Sequence, residues 1–218
     1  MPGRSLAEWH AHVASLPDFP DLLEGVYGRD PGVSMLGGAA GRGKTNLMLQ
    51  QAFDLATGSN HLDIRAGPPV RVTYVTFEGS VKKLDDRIKK LEKNYRLDLL
   101  YKNFSFSREP SLWIGSPSVD RHLHELGKDS DILFLDPLKD LCYGDPNKTE
   151  VAHAVTQRLK KLSEELACPI VVGHHVNKPH NEGELLHTMD LFRLKGSSEY
   201  AEFSETVMLL ERTSNAFM

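Results

Sequence analysis

Short apolar runs alternate along the chain with longer stretches in which apolar residues recur every three or four positions. The runs are typical of buried β-strands, and they fall at 33–37, 70–77, 103–107, 131–136, 169–173 and 205–211. The longer stretches predict amphipathic helices over 44–57, 81–93, 119–126 and 151–166. Strands that alternate with helices in this way predict an α/β fold with a mostly parallel central sheet and helices on both faces.

The beginning of the chain follows a different pattern. Residues 5–25 are helix-like, but Pro17 and Pro20 interrupt the pattern. We therefore expect two parts: a helical N-terminal lead-in over 1–28 and one α/β core over 29–218.

The composition excludes few classes of protein. The 218 residues carry a net charge of −4, which neither predicts nor excludes nucleic-acid binding, because a local basic loop would suffice. The two cysteines, Cys142 and Cys168, lie far apart, which fits a reducing compartment. The N-terminus lacks the apolar core of a signal peptide, and no apolar run approaches the ~20 residues of a membrane span. We expect a cytoplasmic protein with no membrane partner.

Residues 37–49 read GGAAGRGKTNLML and fit the pattern G-x-x-x-x-G-K-[ST] between a predicted strand and a predicted helix. Glycines let the backbone wrap closely around a phosphate with its N–H groups inward, and the helix start adds a positive end. A lysine here reaches the β and γ phosphates, and the threonine hydroxyl ligates Mg²⁺. The motif therefore predicts ATP and Mg²⁺ as ligands. The predicted nucleotide-binding residues are Gly38, Ala39, Ala40, Gly41, Arg42, Gly43, Lys44, Thr45 and Asn46.

Two carboxylates stand at the ends of predicted strands. Asp136 ends the run ILFLD and is the predicted metal ligand beside Thr45; a simple strand-end cap is the alternative. Pro137 follows it instead of a glutamate, so the base that activates water must come from elsewhere. Glu78 ends the run YVTF, and parallel strands open on one edge of a sheet. We predict that Glu78 is the catalytic base; the alternative is a neighbour of a helix N-cap.

Four segments together resemble the RecA-like ATPase core. They are the strand ending at Glu78, LFLDPLKDL, VVGHHVNKP and LKGSSEYAEFSETVMLLER, and the likeness runs from about residue 20 to residue 212. The sequence is most similar to hexameric replicative helicases of the DnaB, phage primase-helicase and plasmid RepA types. In the DnaB-like group a basic-Gly-Ser stretch precedes a strand ending in Glu-Arg. The corresponding residues here are Lys195, Gly196, Ser197, Ser204, Glu205, Thr206, Glu211 and Arg212.

The resemblance implies a RecA-like P-loop NTPase fold and an ATP-hydrolysing motor that acts on single-stranded DNA, as a replicative helicase core of plasmid or phage type. An alternative is a RecA- or KaiC-like recombination or regulatory ATPase that assembles on DNA or into rings without unwinding. A further alternative is a regulatory module that binds ATP but turns it over poorly.

The resemblance also implies a sensor role for His175, which would act in catalysis with Lys44 and Glu78 by detecting the γ-phosphate. On the residues alone, His174 and His175 could be ordinary strand-end histidines. Zinc is not favoured, because no cysteine or carboxylate lies at a matching spacing.

The long segment 176–198 corresponds to the loop that grips single-stranded DNA in the helicases. By this resemblance the candidate DNA contacts are Lys178, Arg193, Lys195, Gly196 and Ser197. A solvated loop that packs on a neighbouring subunit is the alternative, because three acidic residues offset these cations. By the same resemblance the first pore loop would span about 142–149, with Lys148 as its only cation.

The resemblance further implies a homo-oligomer, either a ring, expected to be a hexamer, or a filament. In such assemblies an arginine or lysine finger from the neighbouring subunit completes the site. No such finger is evident in this sequence, although Arg212 is a candidate.

Overall fold

The computed structural model describes residues 5–15, 21–110, 113–176 and 199–210. Within these ranges the helices are α1 (Leu6–Ser15), α2 (Lys44–Thr57), α3 (Val81–Leu91), α4 (Leu97–Asn103), α5 (Pro117–Gly127), α6 (Thr149–Leu166) and α7 (Glu199–Glu202). The strands are β1 (Val33–Gly38), β2 (Val72–Thr76), β3 (Phe104–Arg108), β4 (Ile132–Asp136), β5 (Ile170–His175) and β6 (Thr206–Leu210). None of these helices has both the length and the apolar character needed to cross a membrane.

The six strands form one sheet in the order β3-β2-β4-β5-β1-β6, and every neighbouring pair is parallel. The predicted α/β class with a parallel sheet is therefore confirmed. The register sets Thr76 of β2 beside Asp136 of β4. It also sets Gly38 of β1 between His175 of β5 and Leu210 of β6. The carboxyl ends of the strands thus lie at the same edge of the sheet, where Gly38, Asp136 and His175 end their strands.

Helices cover both faces of the sheet. Side chains of each strand alternate between the two faces, so each face presents apolar side chains for the helices to bury. In β4, Ile132 and Phe134 face a cluster formed mainly with α2, and Leu133 and Leu135 face a cluster formed mainly with α5 and α6. These four side chains have no measurable exposure. Burial of each such side chain contributes about 1.5–3 kcal/mol relative to exposure, so the central strands contribute strongly to the stability of the fold.

Two features of the helices differ from the sequence prediction. The helix expected over 81–93 ends at Leu91 and continues as a 3₁₀ turn, Glu92–Asn94. A seven-residue helix, α4, precedes β3 and was not predicted. Only Leu100 of α4 is fully buried, so the segment is too short and too exposed to give a clear periodic signal.

The lead-in is helical only in part. Residues 21–27 were expected to be helix-like, but they form a compact turn in which the Asp21 carboxylate accepts a hydrogen bond of 2.8 Å from the N–H of Gly25. The turn buries its apolar side chains in the core beside α2. These side chains are Leu22, Leu23 and Tyr27. The prediction of a helix at 21–25 was wrong, because bridges from Leu23 to Tyr27 and Ala66 take the place of helical hydrogen bonds. The domain boundary at residue 28 stays a prediction.

Candidate nucleotide-binding site

The glycine-rich loop joins the end of β1 to the start of α2. Gly41 and Gly43 have φ angles of +74° and +94°, which glycine adopts without strain. A Cβ atom built on either residue would meet no atom within 4 Å, so the loop curves around open space. Gly43 is also the N-cap of α2 and supplies no side chain to cap the helix. The first N–H groups of α2 are thus left for a ligand, as phosphate binding requires.

Lys44 lies at the mouth of this loop with only 7% of its surface exposed. Its Nζ donates hydrogen bonds to the carbonyl oxygens of Gly38, at 2.7 Å, and Ala39, at 3.2 Å. It also lies 3.2 Å from Nδ1 of His175. Burial lowers the pKa of Lys44, and the nearby carboxylates act in the opposite direction. The cation is therefore already fixed where the predicted phosphates would lie.

Asp136 ends β4 and is 1% exposed. The Tyr74 hydroxyl donates a hydrogen bond of 2.8 Å to its Oδ2. Burial raises the pKa of Asp136, while the neighbouring Thr45 and Tyr74 hydroxyls act to lower it. The structure thus brings together Thr45 and Asp136, the two predicted metal ligands.

Gly173 of β5 makes room for this carboxylate. A Cβ atom there would lie 2.5 Å from Oδ1 of Asp136 and 2.9 Å from Sδ of Met48. We did not predict a role for Gly173. The signal was present nonetheless, since a glycine inside a β-branched strand often marks a close approach.

Glu78 lies just beyond the end of β2, at the same edge of the sheet. Oγ1 of Thr76 lies 3.1 Å from the carbonyl oxygen of Asp136 and 3.3 Å from that of Glu78, so its hydroxyl joins the ends of both strands. The Glu78 carboxylate is about half exposed and lies 3.7 Å from Nζ of Lys139. The N-cap of α3 is Ser80, so Glu78 does not cap this helix.

These residues border a cleft of about 430 Å³ between the glycine-rich loop and α3. Predicted residues in its lining are Ala40, Gly41, Gly43, Lys44, Thr45, Asn46, Glu78, Asp136 and His175. Other residues in the lining are Thr76, Gly79, Ser80, Lys83, Leu84, Arg87, Pro137 and Lys139. Gly38, Ala39 and Arg42 belong to the loop but do not line the cleft.

A larger groove, of about 900 Å³, lies beside α6 and between Trp113 and Tyr143. It contains none of the predicted nucleotide residues. The smaller cleft is the candidate site, because the charged groups and the open loop N–H groups converge there.

The predicted DNA contacts cannot be placed in this geometry. Lys178, Arg193, Lys195, Gly196 and Ser197 lie outside the described residues, as does the candidate finger Arg212. Lys148, from the other predicted pore loop, is exposed just before α6. These DNA-binding assignments stay predictions.

The cleft fits magnesium and a nucleotide. Magnesium is usually held by one or two protein oxygens together with substrate phosphates and water, and Thr45 and Asp136 supply such oxygens. No cluster of three or more His, Cys, Asp and Glu side chains forms a metal site in the part of the chain that the structure describes. A magnesium ion that is also bound by phosphate oxygens does not need such a cluster of side chains. The loop, the lysine and the buried aspartate on a parallel sheet define a P-loop NTPase.

Comparison with known proteins agrees with this class. Residues 4–181 match the family model described as AAA domain. This match covers most of the chain, so the protein belongs to that family. It is a P-loop ATPase with an α/β RecA-like fold, and ATP with Mg²⁺ is the general requirement of such ATPases. No curated protein matches the sequence.

Proposed function

We propose that this protein is an ATP-driven motor on single-stranded DNA, and that it forms the core of a replicative helicase of plasmid or phage type. The ATPase class follows from the family. Support for the DNA-directed part comes from the segments that resemble replicative helicases and from one contact in the site, the approach of His175 to Lys44.

In the proposed reaction Lys44 and the N–H groups of the loop bind the phosphates of ATP. Magnesium, held by Thr45 and Asp136, would neutralise phosphate charge. Glu78 orients a water molecule and accepts its proton. The water oxygen bonds to the terminal phosphorus as the bond to the bridging oxygen breaks, and the electron pair leaves with ADP. The half-exposed Glu78 carboxylate suits this role, because water reaches it while it borders the cleft.

The contact between His175 and Lys44 supports a link between hydrolysis and DNA. Nδ1 of His175 lies 3.2 Å from the lysine Nζ. His175 ends β5, and the chain continues from it into 176–198, where the predicted DNA contacts fall. Loss of the γ-phosphate changes the partners of Lys44, and we propose that His175 passes this change to the following segment.

The proposed assembly is a homo-oligomer, a hexameric ring or a filament, which works in the cytoplasm. It would bind single-stranded DNA through Lys178, Arg193, Lys195, Gly196 and Ser197. The basis for both parts is the resemblance of 176–212 to the helicase segments.

The test is steady-state ATP hydrolysis, with and without single-stranded DNA, over a range of protein concentrations. A rate that rises with both supports an assembling DNA motor. A rate that DNA never changes contradicts the DNA-directed part. Strand displacement then separates a helicase from a RecA- or KaiC-like ATPase, which would respond to DNA or assemble without unwinding.

A matched pair of variants sharpens the test. Lys195→Ala is expected to weaken DNA binding and to reduce its dependence on salt. Lys82→Ala removes the same charge from an exposed position on α3 that does not line the cleft, and it should leave DNA binding unchanged. Equal effects of the two changes would contradict a specific role for Lys195.

A further inference from the structure

The wall of the cleft opposite the glycine-rich loop carries two cations. Lys83 and Arg87 of α3 both line the cleft. They are four residues apart, so they lie one turn apart on the same face of the helix. Like charges at this spacing repel each other. An anion in the space that both cations line would relieve this repulsion.

Other cations nearby already have carboxylate partners. Lys89 of the same helix pairs with Asp85 at 2.7 Å, and Lys139 pairs with Glu78 at 3.7 Å. In the described ranges, the ion pairs include neither Lys83 nor Arg87. Arg87 is nonetheless partly buried at the cleft rather than extended into solvent. Its five N–H donors are therefore available to a ligand in the cleft.

The charge of Arg87 reaches the centre of the site. It acts to lower the pKa of Tyr74, against burial and the Asp136 charge, which together raise that pKa. The Tyr74 hydroxyl is itself the donor to Oδ2 of Asp136. Arg87 and Asp136 both line the cleft, Arg87 from the α3 side. Helix α3 is held in place by its Ser80 cap and by the buried side chain of Leu84.

We propose that Arg87 contacts the terminal phosphate of ATP bound in its own subunit and stabilises the charge on that phosphate during hydrolysis. A planar guanidinium binds phosphate oxygens through paired N–H donors, whereas Lys83 adds a more mobile point charge. The proposal rests on the ATP-hydrolysing half of the proposed function and not on its DNA half. It assigns to this chain a cation that related assemblies are expected to take from a neighbouring subunit.

The first test compares binding of ADP with binding of a non-hydrolysable ATP analogue, measured by calorimetry in the presence of magnesium. Arg87→Ala should weaken binding of the analogue about 10- to 100-fold, the usual effect of losing hydrogen bonds to a charged group. Binding of ADP should stay unchanged, because ADP lacks the terminal phosphate. Arg87→Lys should recover part of the lost affinity. Lys82→Ala, on the exposed face of α3, is the matched control and should change neither ligand.

The second test asks which subunit supplies the arginine. Arg87→Ala and Lys44→Ala are expected to hydrolyse ATP poorly when each is alone, and the two are then mixed. A cation acting within its own subunit leaves the mixture as inactive as its components. An arginine acting across a boundary restores activity, because intact Lys44 sites then meet intact Arg87 neighbours.

Three results would overturn the proposal. They are equal loss of ADP and analogue binding, no loss of either, and recovery of hydrolysis in the mixture. Thermal unfolding of Arg87→Ala and Arg87→Lys shows whether each variant is folded. The binding test needs neither DNA nor turnover. Its result therefore decides the role of Arg87 even if the protein proves not to be a DNA motor.

Discussion

The two walls of the nucleotide cleft are built differently. On the loop wall, Lys44 and Asp136 are 7% and 1% exposed, and backbone carbonyls or buried side chains hold them in place. On the opposite wall, the side chains of Glu78 and Lys139 are 45% and 47% exposed and meet only in a loose ion pair. The first wall is organised before a ligand arrives, whereas the second can adjust after it has bound.

This difference predicts that nucleotide binding and turnover can be altered separately in this protein. Preorganised donors supply affinity for the phosphates, and adjustable side chains are engaged when charge develops in the reaction. Substitution of Lys44 should therefore act on affinity, and substitution of Glu78 should act on rate.

The largest effect is expected from Glu78→Gln, on the adjustable wall. The amide keeps the size of the side chain but does not accept the proton of water, so hydrolysis should fall about 10²- to 10⁴-fold. ATP binding should persist. Steady-state hydrolysis and calorimetric titration measure the two quantities. Parallel loss of binding and turnover would contradict both the catalytic role and the separation of the walls.

Lys44→Ala tests the preorganised wall. Removal of a fixed cation should weaken ATP binding about 10- to 100-fold, since hydrogen bonds to charged groups contribute about 1.5–3 kcal/mol. Titration with a fluorescent ATP analogue measures this change, with Lys82→Ala as a control of equal charge. Unchanged nucleotide affinity would remove the basis of the phosphate-loop assignment.

Gly173→Ala should displace the Asp136 carboxylate on the loop wall, because Gly173 lies against it in β5. The added Cβ would lie 2.5 Å from Oδ1 of Asp136, so the carboxylate or the strand must move. We expect a loss of about 1–3 kcal/mol in the free energy of unfolding, as in overpacked cores, together with weaker magnesium-dependent ATP binding. Gly28→Ala is a suitable control, because its Cβ would meet no atom within 4 Å. Similar melting curves for both variants would contradict the close approach.

Asp136→Asn should have the smallest effect on stability, and its sign depends on pH. Burial raises the pKa of Asp136 above its unfolded value, so the charged form disfavours folding. This contribution to stability is present below the unfolded pKa and is lost as pH rises through the folded pKa. Without magnesium, Asp136→Asn should therefore be more stable than the wild type by about 1 kcal/mol at neutral pH.

The same variant should lose this advantage as the pH falls below that window, because the wild-type carboxyl is then neutral as well. It should also lose the extra stabilisation that magnesium and ATP give together. Thermal unfolding at neutral and acid pH, with and without ligands, measures both effects. Lower stability of the asparagine variant at neutral pH without magnesium would contradict the sign.

The sequence predicted those parts of the molecule in which a local pattern and the sheet edge agree. Asp136 and Glu78 stand at the ends of apolar strands, and Lys44 follows another strand after a short glycine-rich loop. Parallel strands bring such residues to one edge of the sheet. Arg87 was beyond this reasoning. It lies in the middle of a helix, and the face that covers the cleft depends on how α3 crosses the sheet. Helix α4 was missed because seven residues carry too little periodicity.

The strand order has a further consequence. β5 lies between β1 and β4, so the phosphate loop and Asp136 are two strand spacings apart, about 10 Å from strand to strand. Backbone hydrogen bonds between the strands set this distance from β1 to β4, so β5 acts as a spacer whose width does not depend on its side chains. Sequence drift on the outer helices and loops leaves the spacer intact. Substitutions on those outer surfaces should therefore leave the separation between the phosphate loop and Asp136 unchanged.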